Sequence, residues 1–349
     1  MKHVYIHIPF CKNICSYCDF CKMYHLPKFT ENYFEALKKE VEDSYMDELI
    51  STIYIGGGTP SCLTNEELDK LFNIVSIFKK STDCEFTFEC NPEDITEELI
   101  TYLIKNGINR LSIGVESFNK ENLEFMERKM DYKDLEEKLN MIRAKGINNI
   151  NLDLIYALPN ESLDTLKKDV KKLLKLNPEH ISTYSLIIEE DTKLKLNNTS
   201  YIDEELDAKM YDYICSKSKK NYTHYEVSNF AKEGFESKHN MAYWLNEEYY
   251  GFGLGASGYI NGFRYENTHN LNDYLEGKYH KEESLLSNEE IMEYEVILGL
   301  RMLKGINLQT FFDKYGVNIQ DVFPVKPLLK SKELIYNCLL YTSPSPRDR

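Results

Sequence analysis

Six short runs rich in β-branched and aromatic residues recur at a regular interval along the first half of the chain: VYIHI at 4–8, TIYIG at 52–56, EFTFEC at 85–90, RLSIGVE at 110–116, NINLDLIY at 149–156 and HISTYSLI at 180–187. Stretches of helical period separate them. The clearest is TNEELDKLFNIVSIFKK, in which Thr64 and Glu67 make a capping box ahead of an apolar stripe of Leu68, Leu71, Phe72, Val75 and Phe78. A strand followed by a helix, repeated in this way, requires parallel strands joined by crossovers. The chain is thereby restricted to an α/β fold, either a doubly wound sheet or an incomplete barrel. Cys11, the run from Gly56 to Thr59, Glu89, Glu116 and Asp153 all stand at or just past the C-terminal ends of their strands, where a barrel assembles its active site. That convergence predicts an incomplete (β/α)6 barrel over residues 1–190.

After residue 190 the pattern changes. A polar helical stretch, YIDEELDAKMYDYICSKSKK, leads into short strands, aromatics and glycines that include HNMAYW, and then into helices at NEEIMEYEVILGLRMLKG and LQTFFDKYG. Residues 191–337 are expected to form a smaller α+β domain packed on the first. The final stretch, CLLYTSPSPRDR at 338–349, replaces a Lys/Glu/Asn/Ile-rich chain with a Ser-Pro-Arg segment lacking apolar periodicity. It resembles the translated end of a transposase adapter used in DNA library preparation, so it is set aside from the fold, and the C-terminal domain is expected to be truncated.

The formal charge of −15 argues against broad attraction to nucleic acid or anionic lipid, both of which need a basic face. No apolar run approaches the roughly 18–20 residues that span a bilayer. The opening MKHVYIHIPF is broken by His3 and His7 and has no small-residue cleavage site, so a cytoplasmic location is expected. In that reducing compartment the nine cysteines are expected to be metal ligands or buried thiols rather than disulfides. Four of them cluster at positions 11, 15, 18 and 21. The spacing C-x3-C-x2-C of the first three can ligate three irons of a cubane and leave one iron without a protein ligand. A structural zinc site prefers four ligands as two separated pairs, and a bacterial ferredoxin runs C-x2-C-x2-C with a Cys-Pro partner.

C-x3-C-x2-C at the end of a first strand, with Tyr17 just before the third cysteine, resembles the radical S-adenosylmethionine (SAM) superfamily. YIHIPFC, GGGTP and DLIY are similar to the group holding oxygen-independent coproporphyrinogen III oxidase and the haem chaperone HemW, over residues 3–337. The resemblance implies a [4Fe-4S] cluster on Cys11, Cys15 and Cys18, whose open iron chelates SAM and whose electron cleaves the sulfonium. It implies SAM contacts from Gly57, Gly58 and Thr59, and from Tyr5, Tyr17, Glu89, Glu116, Arg128 and Asp153. Alone, a triple glycine is a turn and an isolated strand-end Glu a solvated or capping residue. Several positions depart from the family pattern. Cys21 stands one residue beyond the oxidase branch's fourth cysteine, at Phe20, and is read as a nearby thiol. Glu116 replaces Gln in GVQSF, Ala157 replaces Gly in DLIYGLP, Ser237 replaces a cysteine, and Ser257 replaces a histidine.

The resembling oxidase carries an extension ahead of its cysteine motif, and here the motif begins at residue 5. With HNMAYW matching the chaperones' HNxxYW haem motif, this favours the haem chaperone. His239 is then the expected haem ligand, against the alternative of a satisfied packing residue. The implied partners are haem, haem-accepting apoproteins and an electron donor such as a flavodoxin or ferredoxin. A homodimer is left open. The competing functions are the oxidase, which decarboxylates coproporphyrinogen III in porphyrin biosynthesis, and a structural metal-binding protein.

Overall fold

The structure is a computed structural model that describes residues 1–332, 334–337 and 340–342. All six expected strands form: β1 (Lys2–Ile8), β2 (Leu49–Gly57), β3 (Lys79–Cys90), β4 (Arg110–Glu116), β5 (Asn149–Tyr156) and β6 (His180–Ser185). They lie side by side in chain order and are parallel throughout. Helices α1 (Pro27–Ser44), α2 (Asn65–Val75), α3 (Glu97–Lys105), α4 (Tyr132–Ala144) and α5 (Leu163–Leu176) fill the crossovers. Helix α2 begins at the expected capping box: Glu67 N donates to Thr64 Oγ1 at 3.3 Å, and Thr64 N donates to Glu67 Oε2 at 2.8 Å.

One face of these strands is apolar and packs on the helices. Val4, Ile6 and Ile8 of β1, Ile53 and Ile55 of β2, Phe86 and Phe88 of β3, and Ile150, Leu152 and Leu154 of β5 are all buried in a single core. Each such side chain contributes roughly 1.5–3 kcal/mol by leaving water. The alternate positions carry the opposite chemistry. They read His3, Tyr5 and His7 on β1, Thr52 and Tyr54 on β2, Glu85, Thr87 and Glu89 on β3, Arg110 and Ser112 on β4, Asn151 and Asp153 on β5, and His180 and Ser182 on β6. With a side-chain period of two, one strand pattern therefore builds a greasy outer wall and a polar inner one.

The residues after 190 extend this same sheet at both edges. Following α6 (Glu204–Ser218), β7 (Thr223–Glu226) and β8 (Asn229–Ala231) add antiparallel beyond β6. The chain then forms α7 (Lys238–Trp244) and returns as β9 (Tyr249–Phe252), which pairs parallel with β1 on the side away from β2. Strands β10 (Ser257–Ile260), β11 (Phe263–Asn267) and β12 (His280–Leu285) continue outward as antiparallel neighbours. The result is one 12-stranded sheet that does not close on itself. A separate hydrophobic cluster of Ile306, Phe311, Ile319, Val325 and Leu334 organises the helices that follow. Leu340–Thr342, within the stretch set aside from the fold, pairs antiparallel with Ile335–Asn337 and Ile306–Asn307. Residues 338, 339 and 343–349 of that stretch lie outside the described residues.

Candidate functional site

The chain leaves β1 into a two-residue strand, Phe10–Cys11, that pairs parallel with Met23–Tyr24. The segment between, carrying Cys15, Cys18 and Cys21, is thus pinned at both ends. It is held further where Ser16 Oγ donates to Phe125 O at 2.8 Å and Lys193 Nζ donates to Ile14 O at 3.2 Å. Below it runs the glycine loop. Gly58 N donates to Ile8 O and Thr59 N to Phe10 O, both at 2.8 Å, and Thr59 Oγ1 donates to Cys11 Sγ at 3.4 Å. A Cβ on Gly58 would lie 2.9 Å from both Cys11 Sγ and Phe10 O, while Gly57 has φ +116°. The close approach and the backbone angle both require glycine here.

These elements wall one end of a cavity of about 370 Å³ at the C-terminal ends of the strands. Cys11, Cys15 and Cys18 line it; Cys21 does not. The Cys21 side chain packs against Gly255, and its carbonyl accepts from His7 Nε2 at 2.7 Å. Burial raises the thiols of Cys11 and Cys18, the latter to about 12. Among the described residues no three His, Cys, Asp or Glu side chains converge as ligands of a single ion. The eight described cysteines are all free thiols.

The rest of the lining brings together Gly57, Gly58, Thr59, Glu89, Glu116 and Asp153 from strand ends, with Tyr17 and Arg128 from the segments between. Gly114 stands opposite Asp153, and Asp153 opposite Ser182, so the register itself levels these groups. The strand slips between Gly114 and Glu116, and Glu116 takes a left-handed φ of +66°. Such a bulge re-aims a side chain, here into the cavity beside Tyr17. Arg128 bridges the wall: it donates to Asn91 Oδ1 at 2.8 Å, to Gly114 O, and to Cys15 Sγ at 3.7 Å.

Three carboxyls face this space, and burial pushes each of them up. Glu89 rises to about 7, with Asp153 adding to the shift while Tyr54 OH at 2.7 Å and Gly57 N at 3.0 Å oppose it. Glu116 also rises to about 7, against the pull of Arg128. Asp153 rises too, despite a hydrogen bond from Asn151 Nδ2 at 2.8 Å. Carboxyls crowded in this way favour a ligand that brings a cation and hydroxyl donors. Sulfur donors at one end, backbone open to close approach beside them, and acceptors beyond are the requirements of an iron–sulfur cluster carrying SAM, so these residues fit both groups.

Two expected residues fall elsewhere. Tyr5 does not line the cavity; its hydroxyl donates to His7 Nδ1 at 3.0 Å. His7 is held neutral by burial, its pKa lowered to about 4, so Nε2 carries the proton given to Cys21 O. The placement of His239 differs more. It is 1% exposed, and both ring nitrogens are engaged, Nδ1 with Thr52 Oγ1 at 2.6 Å and Nε2 with Tyr243 OH at 2.8 Å. Both nitrogens are taken by protein partners, so ligation of haem iron by His239 would require one of these hydrogen bonds to be exchanged. Conversely, Tyr54, Asn91, Ser112, Asn151, Ser182 and Tyr184 line the cavity without having been singled out. Polar residues at every second position of strands that are otherwise apolar were the available signal.

Residues 5–173 match the Radical SAM superfamily, and residues 286–336 match the HemN C-terminal domain. The chain is 39% identical over 353 residues to "Heme chaperone HemW" of Bacillus subtilis (strain 168), covering 97% of this chain and 93% of that protein. It is 39% identical over 347 residues to the protein of the same name from Lactococcus lactis, covering 95% and 90%, and 30% identical over 341 residues to that of Haemophilus influenzae, covering 90% and 86%. Among solved structures it superposes on the coproporphyrinogen III oxidase (HemN) from Escherichia coli with a TM-score of 0.86 at 21% identity, covering 99% of this chain and 87% of the other. No helix among the described residues is long and apolar enough to cross a membrane.

Proposed function

This chain belongs to the radical SAM superfamily and, within it, to the family of the haem chaperone HemW, and we propose that it binds haem, a [4Fe-4S] cluster and SAM and delivers haem to apoproteins. The observation that carries the site assignment is the partition of the cysteines. Cys11, Cys15 and Cys18 line the cavity shared with the carboxyls, whereas Cys21 is turned against Gly255. On this reading the first three hold the cluster, and Gly57, Gly58, Thr59, Tyr17, Glu89, Glu116, Arg128 and Asp153 hold SAM. The bound pair supplies one-electron reduction of a sulfonium. The protein's own part is to orient and exclude: Thr59 and Arg128 donate to the sulfurs of Cys11 and Cys15, Glu89 is locked by Tyr54 and Gly57, and the buried carboxyls would accept from ribose hydroxyls and the ammonium of bound SAM.

Haem is the cargo. The cavity mouth carries Phe20, 60% exposed, and Ile187, 62% exposed, and this apolar rim suits a flat macrocycle. An electron donor such as a flavodoxin or ferredoxin and a cytoplasmic location complete the reading.

Anaerobic reconstitution with iron and sulfide, followed by titration with SAM and with haem, tests the function. The expected outcome is a broad cluster absorption, SAM binding, a Soret band on haem addition, and no oxidase-like turnover of coproporphyrinogen III. Robust decarboxylation without haem transfer would replace the chaperone with the oxidase.

A further inference from the structure

The HNMAYW segment forms α7, which lies on the polar inner face of the sheet. Its start is fixed by Glu85 of β3, which accepts from Lys238 N at 3.1 Å and His239 N at 3.0 Å, and by Ser237 Oγ, which accepts from Asn240 N at 3.3 Å. His239 then joins a continuous hydrogen-bonded chain that runs inward from the exposed Glu247. Glu247 Oε2 meets His3 Nε2 at 2.7 Å, His3 Nδ1 meets Thr52 Oγ1 at 2.9 Å, Thr52 Oγ1 meets His239 Nδ1 at 2.6 Å, and His239 Nε2 meets Tyr243 OH at 2.8 Å. With Glu247 ionised and His3 in its neutral form, one set of protons satisfies every contact. His3 Nε2–H donates to Glu247, Thr52 O–H to His3 Nδ1, His239 Nδ1–H to Thr52, and Tyr243 O–H to His239 Nε2. Both ring nitrogens of His239 are thus engaged, so the imidazole plane is set from both sides.

What the fixed ring touches is Tyr54, at a centroid distance of 5.2 Å and 31° between planes. Tyr54 OH donates to Glu89 Oε1 at 2.7 Å, and Glu89 Oε2 accepts from Gly57 N at 3.0 Å. The next residue of the motif, Asn240, lines the cavity itself. We infer that His239 is a positioning residue for the SAM site: held by Thr52 and Tyr243, it orients Tyr54, and through Tyr54 the carboxylate that braces the glycine loop. The inference rests on the SAM-binding reading above. It separates the HNMAYW motif from direct haem ligation and makes α7 the means by which residues after 190 shape the cavity floor.

The test uses the full chain, anaerobically reconstituted, with three readouts: the SAM dissociation constant, the change in the reduced cluster's EPR spectrum on adding SAM, and the Soret band on adding haem. His239→Ala should weaken SAM binding about 3- to 10-fold, the effect of losing one oriented hydrogen-bonded contact. It should blunt the EPR change and leave the Soret position unaltered. His239→Phe, which keeps a ring against Tyr54 but has no nitrogen, should recover part of the SAM affinity and leave the Soret position unaltered, whereas iron ligation would require the Soret band to move. Tyr54→Phe should weaken SAM binding by a similar factor, and the double variant with His239→Ala should be no worse than the weaker single. If His239→Ala fails to fold, Tyr54→Phe and Tyr243→Phe carry the test, both being expected to weaken SAM binding without moving the Soret band. A shifted Soret band with SAM affinity intact, or strictly additive losses, would overturn the inference. Absence of SAM binding by the wild-type protein would overturn the functional reading with it.

Discussion

Replacement of Gly57 by alanine joins two costs that other glycines of this chain separate. At φ +116° an L-residue carries backbone strain of about 1–3 kcal/mol. The new Cβ would also lie 2.7 Å from the ring of His7, and forcing a methyl into packed atoms adds about 1–3 kcal/mol. Reduced freedom of the unfolded chain returns about 0.4–1 kcal/mol. Gly57→Ala should therefore destabilise the apoprotein by roughly 2–5 kcal/mol. Gly146, at φ +108° with nothing within 4 Å of its virtual Cβ, isolates the backbone cost. Gly58, with no such φ but a Cβ 2.9 Å from Phe10 O and Cys11 Sγ, isolates the packing cost. Denaturant unfolding of the three variants, read with SAM titration of the reconstituted proteins, should give the largest loss at Gly57. Only Gly57→Ala and Gly58→Ala should impair the cluster and SAM, since His7 also anchors the Cys21 carbonyl. Equal losses at Gly57 and Gly146, with SAM affinity untouched, would refute the packing part of this reasoning.

Single alanine substitutions at Cys11, Cys15 and Cys18 should each abolish the cluster absorption, and Cys21→Ala should retain it; equal loss at Cys21 contradicts the ligand set. Asp153→Ala removes a carboxylate held by Asn151 and should weaken SAM binding by on the order of 1–3 kcal/mol, with unchanged affinity in a folded variant excluding it from the site. Glu116 has a folded-state pKa raised to about 7 by burial. The folded protein then holds a proton that the unfolded chain has lost between the ordinary carboxylate value and about 7, so this group's contribution to stability declines as pH rises through that window and levels off above it. Glu116→Gln should accordingly gain in melting temperature over wild type on going from about pH 5 to about pH 8, and a constant difference would show that Glu116 is not buried as described.

The six parallel strands and the capping box of α2 were legible because local sequence determines them, through period-two apolar runs and a four-residue cap. The cavity wall was legible at strand ends, where Cys11, Glu89 and Asp153 interrupt apolar runs. Deeper along the same strands Ser112, Asn151 and Ser182 escaped notice, since one polar residue between two apolar ones reads as a solvent-facing position when only one face is expected to be buried. HNMAYW names a histidine but not its surroundings. Nothing in six residues says that Thr52, far back in the chain, will occupy one nitrogen while Tyr243 occupies the other. The pairing of β9 with β1 leaves no local trace either, because register between distant strands is set by the whole inner and outer pattern.

That pairing has a consequence for biosynthesis. β1 leaves the ribosome long before β9, and one of its edges has no partner until Tyr249–Phe252 has been made. At the usual 5–20 residues per second the delay is roughly 10–50 s. Throughout it the nascent chain presents an apolar strand edge, the template on which unwanted pairing with other chains begins. The cysteines directly after β1 are displayed in the same interval, with α7 not yet beneath Tyr54 and the cavity floor incomplete. Cluster insertion into a finished cavity is therefore confined to the period after α7 and β9 are synthesised, and fragments ending before residue 249 should accumulate as aggregates rather than as small folded barrels.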